Sequence, residues 1–400
     1  MKEVLLGGLI LAFGCAGASP ARVVSSNPIE TNNYYVSTGG SDARGNGSAG
    51  SPWATIDYAS RQVGPGATVH VAPGAYAGNL VTTASGTSSA RITYVSDTPW
   101  AAKIVNSSYN GSLDQNVWDN EGSYVTIRGF DVSGASFQGI GNGGSYVVIQ
   151  GNHVHNVIPA NCNSNGGAGI HDHGDNSDDV GNVVNDVANF PLGACTYIHG
   201  IYADRSGGHV LNNIIYHNWS NGIQVWGSSP WGITISGNTV LTSGNDGLVV
   251  GSRGSAADSL VVTDNIFIHN ANYGFDEQGT TGTHNQYNNN LSYANAYGGY
   301  SLQTGTQSAT VGADPQIVNY QADPLLAQPS DAVKYFQLKS SSPAINAGTS
   351  QGAPSYDFAG DARPQIRSSG NGWDIGAFEF MGTALTSSMA AFLEIPPLKL

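Results

Sequence analysis

The 400-residue sequence is poor in charged residues, and positive charge is especially scarce. Charged residues make up 10% of the chain, with 14 Lys and Arg against 28 Asp and Glu, which gives a formal net charge of −14. Helix bundles and coiled coils need many more charged residues at helical spacing, so both classes are excluded. Nucleic acid is excluded as a partner because its phosphates would be repelled. No stretch beyond the N-terminus approaches the ~18 apolar residues of a membrane span.

Glycine, in contrast, is abundant. The chain has 54 glycines, and 40% of its residues are hydrophobic. Because enough apolar surface is available to bury a core, wholesale disorder is excluded. The poor helix propensity of glycine then favours a core made of β-structure.

The N-terminus has the pattern of a signal peptide. Lys2 is followed by an apolar stretch from Val4 to Gly14 and by Ala16-Gly17-Ala18, which fits an A-x-A cleavage site. We therefore predict that residues 1–18 are a signal peptide and that the protein is secreted. Two alternatives stay open, a lipid anchor on Cys15 and a periplasmic location.

The middle of the chain repeats one pattern. Each copy has a short apolar strand, a corner, a second apolar stretch, and a glycine before a large apolar residue. The corner residues are Phe130, Asn152, Asn182, Asn213, Asn238, Asn265 and Asn290. The large apolar residues are Ile140, Ile170, Ile201, Ile223, Leu248, Phe275 and Tyr300. Such repeats bury their apolar side only when coils stack, so we predict an all-β parallel solenoid with a structural column of asparagines.

Two of the repeats are longer than the others. Their extra residues lie at roughly 157–167 and 187–198 and contain Cys162 and Cys195. In an oxidising compartment these two cysteines are expected to form one disulfide, which would tie two neighbouring loops together. Insertions on one face of a solenoid commonly form its binding face. The alternative is that the disulfide only stabilises two long loops.

The segments before and after the repeats are predicted to close the solenoid. The segment Thr55 to Val63 is the only stretch that we predict to be a helix, and it would cover the first coil. We predict an N-terminal cap with the first coils at 33–110, repeats at 111–310, a C-terminal closure at 311–380 and an irregular tail at 381–400.

These closing segments carry a resemblance to a known superfamily. The first runs from Tyr34-Tyr35-Val36-Ser37 to Pro73-Gly74-Ala75-Tyr76, and the last contains Ser342-Pro343-Ala344-Ile345 and Asp374-Ile375-Gly376-Ala377. With the repeats between them, they resemble secreted bacterial right-handed parallel β-helix proteins of the pectate-lyase-like superfamily. The resemblance implies a right-handed β-helix and a carbohydrate ligand. It does not choose among the lyases, hydrolases, uronan epimerases and non-catalytic proteins of that superfamily.

Two reaction types of the superfamily can be compared with the residues present. The sequence has no lysine between Lys103 and Lys334, which excludes a lysine base in the repeats. The segment Tyr273-Gly274-Phe275-Asp276 is similar to the start of the mannuronan epimerase motif, but Glu277-Gln278 replaces the Pro-His that carries the chemistry. Neither pattern assigns an activity.

Side chains one and three residues past the large apolar position are predicted to point outward on one sheet, because side chains alternate along a strand. In three successive coils these residues are His171 and His173, Tyr202 and Asp204, and Gln224 and Trp226. His199 and Arg205 flank the middle coil. Strands ~4.8 Å apart would gather these groups into a patch on the order of 10 Å across.

These residue types suit β-elimination on a uronate, which needs a group that screens the carboxylate, a base and an acid. The predicted catalytic residues are His171 or His199 as base, Tyr202 as acid, Arg205 on the carboxylate, and Asp204, which orients a histidine. The predicted substrate-binding residues are His173, Gln224, Trp226 and Arg253.

Several alternatives stay open at this point. The protein could be a polysaccharide lyase for an acidic glycan, a glycoside hydrolase that pairs Asp204 with Asp246 or Asp172, or a non-catalytic glycan-binding protein. The first is our prediction, with a polysaccharide as partner and the protein as a monomer. No cofactor is certain. His171 and His173 could bind a metal with Asp172 or Asp204. The carboxylates of Asp172, Asp175, Asp178 and Asp179 could bind Ca²⁺, although a solvated acidic turn is the simpler interpretation.

Overall fold

The computed structural model of the protein describes residues 32–108, 115–159, 167–188, 196–367 and 370–382. Within these residues, most strands belong to three parallel sheets that wind around one apolar core. Each coil visits the sheets in the same order, as Val125–Arg128, Asp131–Gly134 and Gln138–Asn142 show. The predicted all-β architecture of stacked parallel coils is confirmed.

The strands of each sheet follow one another along the axis of the solenoid. Sheet 1 consists of Asn32–Val36, Ala67–Val71, Ile92–Ser96, Val125–Arg128, Val148–Gln150, Asp178–Val180, His209–Leu211, Thr234–Ser236, Val261–Thr263, Gln286–Asn288 and Thr306–Ser308. Sheet 2 consists of Gly74–Ala77, Ala102–Asn106, Asp131–Gly134, His153–Val157, Val183–Asn185, Ile214–Tyr216, Thr239–Leu241, Ile266–Ile268 and Leu291–Tyr293. Sheet 3 consists of Leu80–Thr82, Asn116–Asn120, Gln138–Asn142, Gly167–Asp172, Ile198–Ala203, Ile223–Val225, Leu248–Ala257, Tyr273–Thr281 and Gly298–Ser301.

The predicted column of large apolar residues forms the part of the core under sheet 3. Ile170 pairs with Ile201, and Ile201 pairs with Ile223, in the register that the spacing of the repeats predicts. The column is fully buried from Ile140 to Phe275. Inward-facing side chains from all three sheets therefore meet in one continuous apolar core.

The asparagine column has the structural role predicted for it. The backbone N–H of Asn182 donates to Oδ1 of Asn213 at 2.8 Å, and the N–H of Asn213 donates to Oδ1 of Asn238 at 2.9 Å. The same bond links successive corners from Phe130 to Asn290. Each buried amide thus satisfies a backbone group at a corner where the ladder between strands is interrupted.

Two short helices lie in the described residues. The first is Ile56–Ser60, where the hydroxyl of Thr55 accepts a hydrogen bond from the N–H of Tyr58 at 3.3 Å. It is shorter than the predicted helix but lies where expected. The second, Pro329–Phe336, was not predicted, because a segment of eight residues carries too few apolar repeats for a helical period to be recognised. An antiparallel pair, Gln365–Arg367 and Gly370–Gly372, completes the described strands.

The C-terminal segment covers the outer face of sheet 2. Phe336 packs on Tyr216 with ring centroids 5.4 Å apart, and the hydroxyl of Tyr216 donates to the carbonyl of Pro324. Ile266, Phe358 and other residues extend this second apolar cluster. Sheet 2 is therefore covered by protein over these coils.

Some predictions lie outside the described residues. These are the signal peptide at 1–18, Cys15, the disulfide between Cys162 and Cys195, and nearly all of the tail at 381–400. Across the described ranges, no helix has the length and apolarity to cross a membrane.

Candidate active site

The outer face of sheet 3 presents the predicted site residues in register. His171 pairs with Tyr202, and Tyr202 pairs with Gln224, on three neighbouring strands. His173 and Asp204 follow two residues later and share the same face, because alternate residues of a strand point the same way. The alternation predicted from the sequence therefore produces the expected rows of side chains.

A cleft of about 550 Å³ lies over this face. Its wall includes every predicted catalytic and substrate-binding residue except Arg205, namely His171, His173, His199, Tyr202, Asp204, Gln224, Trp226 and Arg253. It also includes Asp246 and six residues that the sequence pattern did not predict, Thr196, Tyr197, Asn221, Asn245, Asn272 and Gln278. A signal for Asn221 was present, since it lies two residues before the large apolar position, as His199 and Asp246 do.

Arg205 does not line the cleft, so the role predicted for it on a substrate carboxylate is not supported. Its fully buried guanidinium lies between Asp172 and Asp179, with a nitrogen 3.0 Å from an oxygen of each. It also donates to the carbonyls of Gly207 and His209. Arg205 lies two residues beyond the end of the strand Ile198–Ala203, and its ion pairs with Asp172 and Asp179 hold its side chain inside the protein.

The predicted acidic turn is solvated only in part, since Asp175 is exposed and Asp178 is partly exposed. Asp172 and Asp179 are completely buried, and Asp178 pairs with Nδ1 of His209 at 2.6 Å. Burial and the neighbouring charge of Asp172 raise the pKa of Asp179 to about 7 despite the ion pair with Arg205. The carboxylates of Asp172, Asp178 and Asp179 are engaged in these contacts. Among the described residues, no three carboxylates of this turn lie close enough together to share a Ca²⁺ ion.

His171 and His199 are buried, neutral imidazoles. Each is 4% exposed, and burial lowers the pKa of His199 to about 3 and that of His171 well below its usual range. Nδ1 of His171 contacts Nε2 of Gln138 at 2.6 Å, but Nε2 of His171 has no hydrogen-bond partner among the described residues. Nδ1 of His199 likewise has none. The cleft therefore contains two rings with unused hydrogen-bonding capacity.

Tyr202 contacts both of these histidines. Its ring stacks on His171 with centroids 4.3 Å apart and meets the ring of His199 edge-on at 5.5 Å. Burial and the charge of Asp204 raise the pKa of Tyr202 to about 12, and the charge of Arg253 opposes this rise. At neutral pH the phenol therefore keeps its proton and is a hydrogen-bond donor next to two neutral imidazoles.

Asp204 is held between a histidine and a glycine. Its Oδ2 lies 3.5 Å from Nδ1 of His173. Its Oδ1 packs against Gly227, where a Cβ atom would come within 1.9 Å of that oxygen. The ring of His173 lies next to that of His171, with centroids 3.8 Å apart. Asp204 can thus orient His173, a pairing that the sequence pattern left undetermined.

Comparison with solved structures identifies the fold. Pectate lyase Pel9A superimposes with a TM-score of 0.59 at 18% identity, over 87% of this chain and 96% of that chain. XylC in complex with xylose superimposes with a TM-score of 0.51 at 13% identity, over 72% and 70% of the two chains. This chain is a right-handed parallel β-helix. No protein-family profile matches it, and no curated protein matches it significantly.

At identities this low, the superpositions show the fold and not the chemistry of the cleft, which has to be inferred from the residues of this chain. Trp226 is one of these. Its indole lies across the next two coils, where a Cβ on Gly251 or Gly279 would come within 2.5 Å or 2.7 Å of the ring. The two glycines therefore let the indole lie flat on the sheet, and its outer face is a platform on which a sugar ring can stack.

The carboxylate pairs expected for a hydrolase are not formed in the cleft. Asp172 faces away from it, and Asp246 lies two strands beyond Asp204 along sheet 3 and five positions back along the strand. With ~4.8 Å between strands and ~3.3 Å per residue, the two Cα atoms are roughly 19 Å apart. The carboxyl groups of a hydrolase pair lie about 5 to 9.5 Å apart, which is about half or less of this separation between Cα atoms.

Asp246 has an unusual environment of its own. Burial and the charge of Asp276 raise its pKa to about 6, and its Oδ1 accepts a hydrogen bond from the N–H of Tyr273 at 2.9 Å. Its carboxyl group therefore changes charge within the physiological pH range, at the wall of the cleft.

Three histidines outside the cleft pair with aspartates. His153 and His155 both contact Oδ2 of Asp131, at 3.2 and 3.1 Å, on the outer face of sheet 2. His217 pairs with Asp186. Because these histidines lie on another sheet, they do not contribute to the cleft.

Proposed function

We propose that the protein is a carbohydrate-active enzyme that cleaves a uronate-containing polysaccharide by β-elimination in this cleft. The observation that carries the proposal is the position of Tyr202 between the neutral imidazoles of His171 and His199. Further support comes from the two similar folds, since one belongs to a pectate lyase and the other contains xylose.

His199 is the base in this proposal, and His171 is the alternative. A general base must be unprotonated when the substrate binds, and burial keeps His199 neutral above a pH of about 3. A substrate carboxylate next to the ring would bring a negative charge into the buried site. That charge would raise the pKa of the imidazole and strengthen it as a base once the substrate is bound.

Tyr202 is the acid. Its phenol is protonated at neutral pH because its pKa is raised to about 12. In the proposed step His199 removes the C5 proton of the uronate, its C–H electrons form the C4–C5 double bond, and the C4–O bond breaks. The departing oxygen takes the proton of Tyr202. No water and no oxidant is consumed, and the base later returns its proton to the phenolate.

In this proposal Arg253 and Trp226 bind the substrate. Among the described residues, Arg253 is the one lysine or arginine of the cleft wall that could bind a carboxylate, since Arg205 does not line the cleft. Trp226 offers a flat apolar face beside it. Gln224, whose side-chain oxygen accepts a hydrogen bond from Asn221, can bond to sugar hydroxyls. Export, predicted from residues 1–18, would bring this cleft to extracellular polysaccharide.

The test is an assay of two products at once. The purified protein would be incubated with pectate, alginate, glucuronan and glycosaminoglycans, with and without EDTA. Ultraviolet absorbance reports the unsaturated uronate, and a separate reaction reports new reducing ends. We expect both signals on at least one polymer, and a loss of about 10²- to 10⁴-fold in Tyr202→Phe.

Tyr146→Phe is the matched control. Tyr146 stacks on Tyr124, is 43% exposed and does not line the cleft, so the same substitution there should leave the rate unchanged. Reducing ends without absorbance would show hydrolysis and contradict the lyase. Full activity in Tyr202→Phe would remove Tyr202 from the mechanism. Binding of a polymer without either product would indicate a glycan-binding protein.

A further inference from the structure

Three groups of histidine and aspartate side chains in the described residues come close enough to share an ion. In the group of Asp131, His153 and His155, the ring nitrogens of His153 are used by Asp131 and Asn185. In the group around His217, that ring is paired with Asp186. The group in the cleft differs because one of its buried nitrogens, Nε2 of His171, has no hydrogen-bond partner within the part of the chain that is described.

The free nitrogen belongs to a side chain that is 4% exposed, and leaving such a group unsatisfied is costly. His173 lies on the same face of the strand as His171, and Asp204 lies opposite His173 on the next strand. The ligand atoms of these three residues are within 4.8 Å of one another, and those of His173 and Asp204 are 3.5 Å apart. A cation bound at this group through Nε2 of His171 would satisfy the free nitrogen.

The distances suit a small ion after a short movement. Ligands about 2.0–2.1 Å from a tetrahedral zinc ion are about 3.3 Å from one another. The widest separation in the group therefore has to close by at most about 1.5 Å. The side chain of His173 is 47% exposed, so it has room to turn toward the others.

Two of the three ligands are already held from behind. The side-chain amide of Gln138 contacts Nδ1 of His171, and half a turn of that amide places its oxygen there as an acceptor. Nδ1 then carries the proton and Nε2 offers its lone pair. Gly227 packs against Oδ1 of Asp204 and leaves Oδ2 facing His173. A hydrogen bond such as that between Gln138 and His171 is typical of the outer shell of a metal site.

We propose that His171, His173 and Asp204 bind a transition-metal ion of the Zn²⁺ or Mn²⁺ type in the cleft. Two imidazoles and one carboxylate suit such ions, whereas Ca²⁺ requires a shell of oxygen ligands. Three protein ligands also leave positions open to the cleft, which is typical of catalytic metal sites and not of structural ones.

The role of the ion rests on the proposed function. The cleft wall contains two carboxylates, Asp204 and Asp246, and one guanidinium, Arg253. The whole chain has a formal net charge of −14, so a polyanionic substrate meets unfavourable electrostatics. A divalent cation at His171, His173 and Asp204 would reverse the local balance and give the substrate carboxylate a ligand position beside Tyr202.

The test is direct titration of the protein without any polysaccharide. The full chain would be stripped with EDTA, dialysed, and titrated calorimetrically with Zn²⁺, Mn²⁺ and Ca²⁺ in separate experiments. We expect one Zn²⁺ or Mn²⁺ ion in the cleft, and no comparable binding of Ca²⁺. Because loss of even an outer-shell partner weakens metal sites about 10- to 100-fold, His173→Ala and Asp204→Asn should each weaken binding at least tenfold.

His155→Ala is the matched control, because His155 belongs to the comparable group on sheet 2 and is also partly exposed. It should leave the cleft ion in place. A Co²⁺-loaded sample gives a second readout, since its visible spectrum should change in His173→Ala and not in His155→Ala. His173 is half-exposed, so its replacement should not unfold the protein, and circular dichroism of each variant checks this.

The outcomes separate the metal site from the proposed function. Zinc bound by His173 and Asp204, in a protein that cleaves none of the polymers, supports the site and contradicts the lyase. Polymer cleavage at full rate by stripped protein that binds no ion supports the lyase and overturns the site. Zinc lost in His155→Ala and retained in His173→Ala would also overturn it, by moving the ion to sheet 2.

Discussion

Replacing Arg205 by methionine is expected to destabilise the β-helix, and to do so more strongly at pH 8 than at pH 5. The substitution keeps an unbranched side chain of similar length and removes the guanidinium from between Asp172 and Asp179. All three side chains are completely shielded from solvent. The variant would therefore contain two buried carboxyl groups with no positive partner.

The expected loss of stability follows from the cost of removing one partner of a buried ion pair, which is about 3–5 kcal/mol. The carbonyls of Gly207 and His209 also lose the donors that lie 2.7 and 3.1 Å away. Each lost bond costs about 1 kcal/mol, so the free energy of unfolding should fall by about 5 kcal/mol or more at pH 8.

The pH dependence follows from proton uptake by the folded protein. In the presence of Arg205 the pKa of Asp179 is already raised to about 7, and removal of the positive charge would raise it further. An unfolded aspartate has a pKa of about 3.9. A carboxyl whose pKa is higher in the folded state stabilises fully below the unfolded pKa and loses that contribution as the pH rises through the folded pKa. The deficit of Arg205→Met should therefore grow from pH 5 to pH 8.

The measurement is urea unfolding at both pH values, with tryptophan fluorescence as the probe of the transition. Arg61→Met is the matched control, because Arg61 pairs with Asp57 at the surface with side-chain exposures of 56% and 35%. That variant should change the free energy of unfolding by less than about 1 kcal/mol at either pH. An equal deficit at pH 5 and pH 8, or weaker substrate binding by Arg205→Met with unchanged stability, would refute our account of Arg205.

Three further outcomes are expected. kcat/KM of the wild type should show an inflection near pH 6 that Asp246→Asn lacks, because this carboxyl group of the cleft wall changes charge there; a wild-type profile that is flat near pH 6 would contradict a role of that charge in catalysis. Asn213→Ala should lower the free energy of unfolding by about 3 kcal/mol, because the N–H of Asn182 and the carbonyl of Asp179 lose buried partners; a change below about 1 kcal/mol in urea unfolding would count against the asparagine column. Gly227→Ala should lower the cleavage rate about tenfold without altering circular dichroism, because its Cβ displaces the carboxylate beneath it. An unchanged rate would show that this contact is dispensable.

The sequence alone determined the coils and the face on which the candidate site lies. Stacking of repeats and alternation along strands are properties of local pattern, so the spacing of the repeats is enough to predict the pairing of Ile170 with Ile201 and of His171 with Tyr202. The corner asparagines could be assigned a structural role for the same reason, since amides at the same corner of successive repeats can hydrogen-bond from one coil to the next. The disulfide between Cys162 and Cys195 remains a prediction.

Tertiary structure decided which of these residues face solvent, which are buried and what each one contacts. Arg205 was expected in the cleft, yet it pairs with Asp179 of sheet 1 in the preceding coil, and spacing within one repeat does not reveal such a partner. The low pKa of His199 depends on burial by neighbouring coils, and the position of Asp204 depends on a glycine that follows a later strand. Register and alternation are local, whereas burial and charge pairing arise only when distant segments pack together.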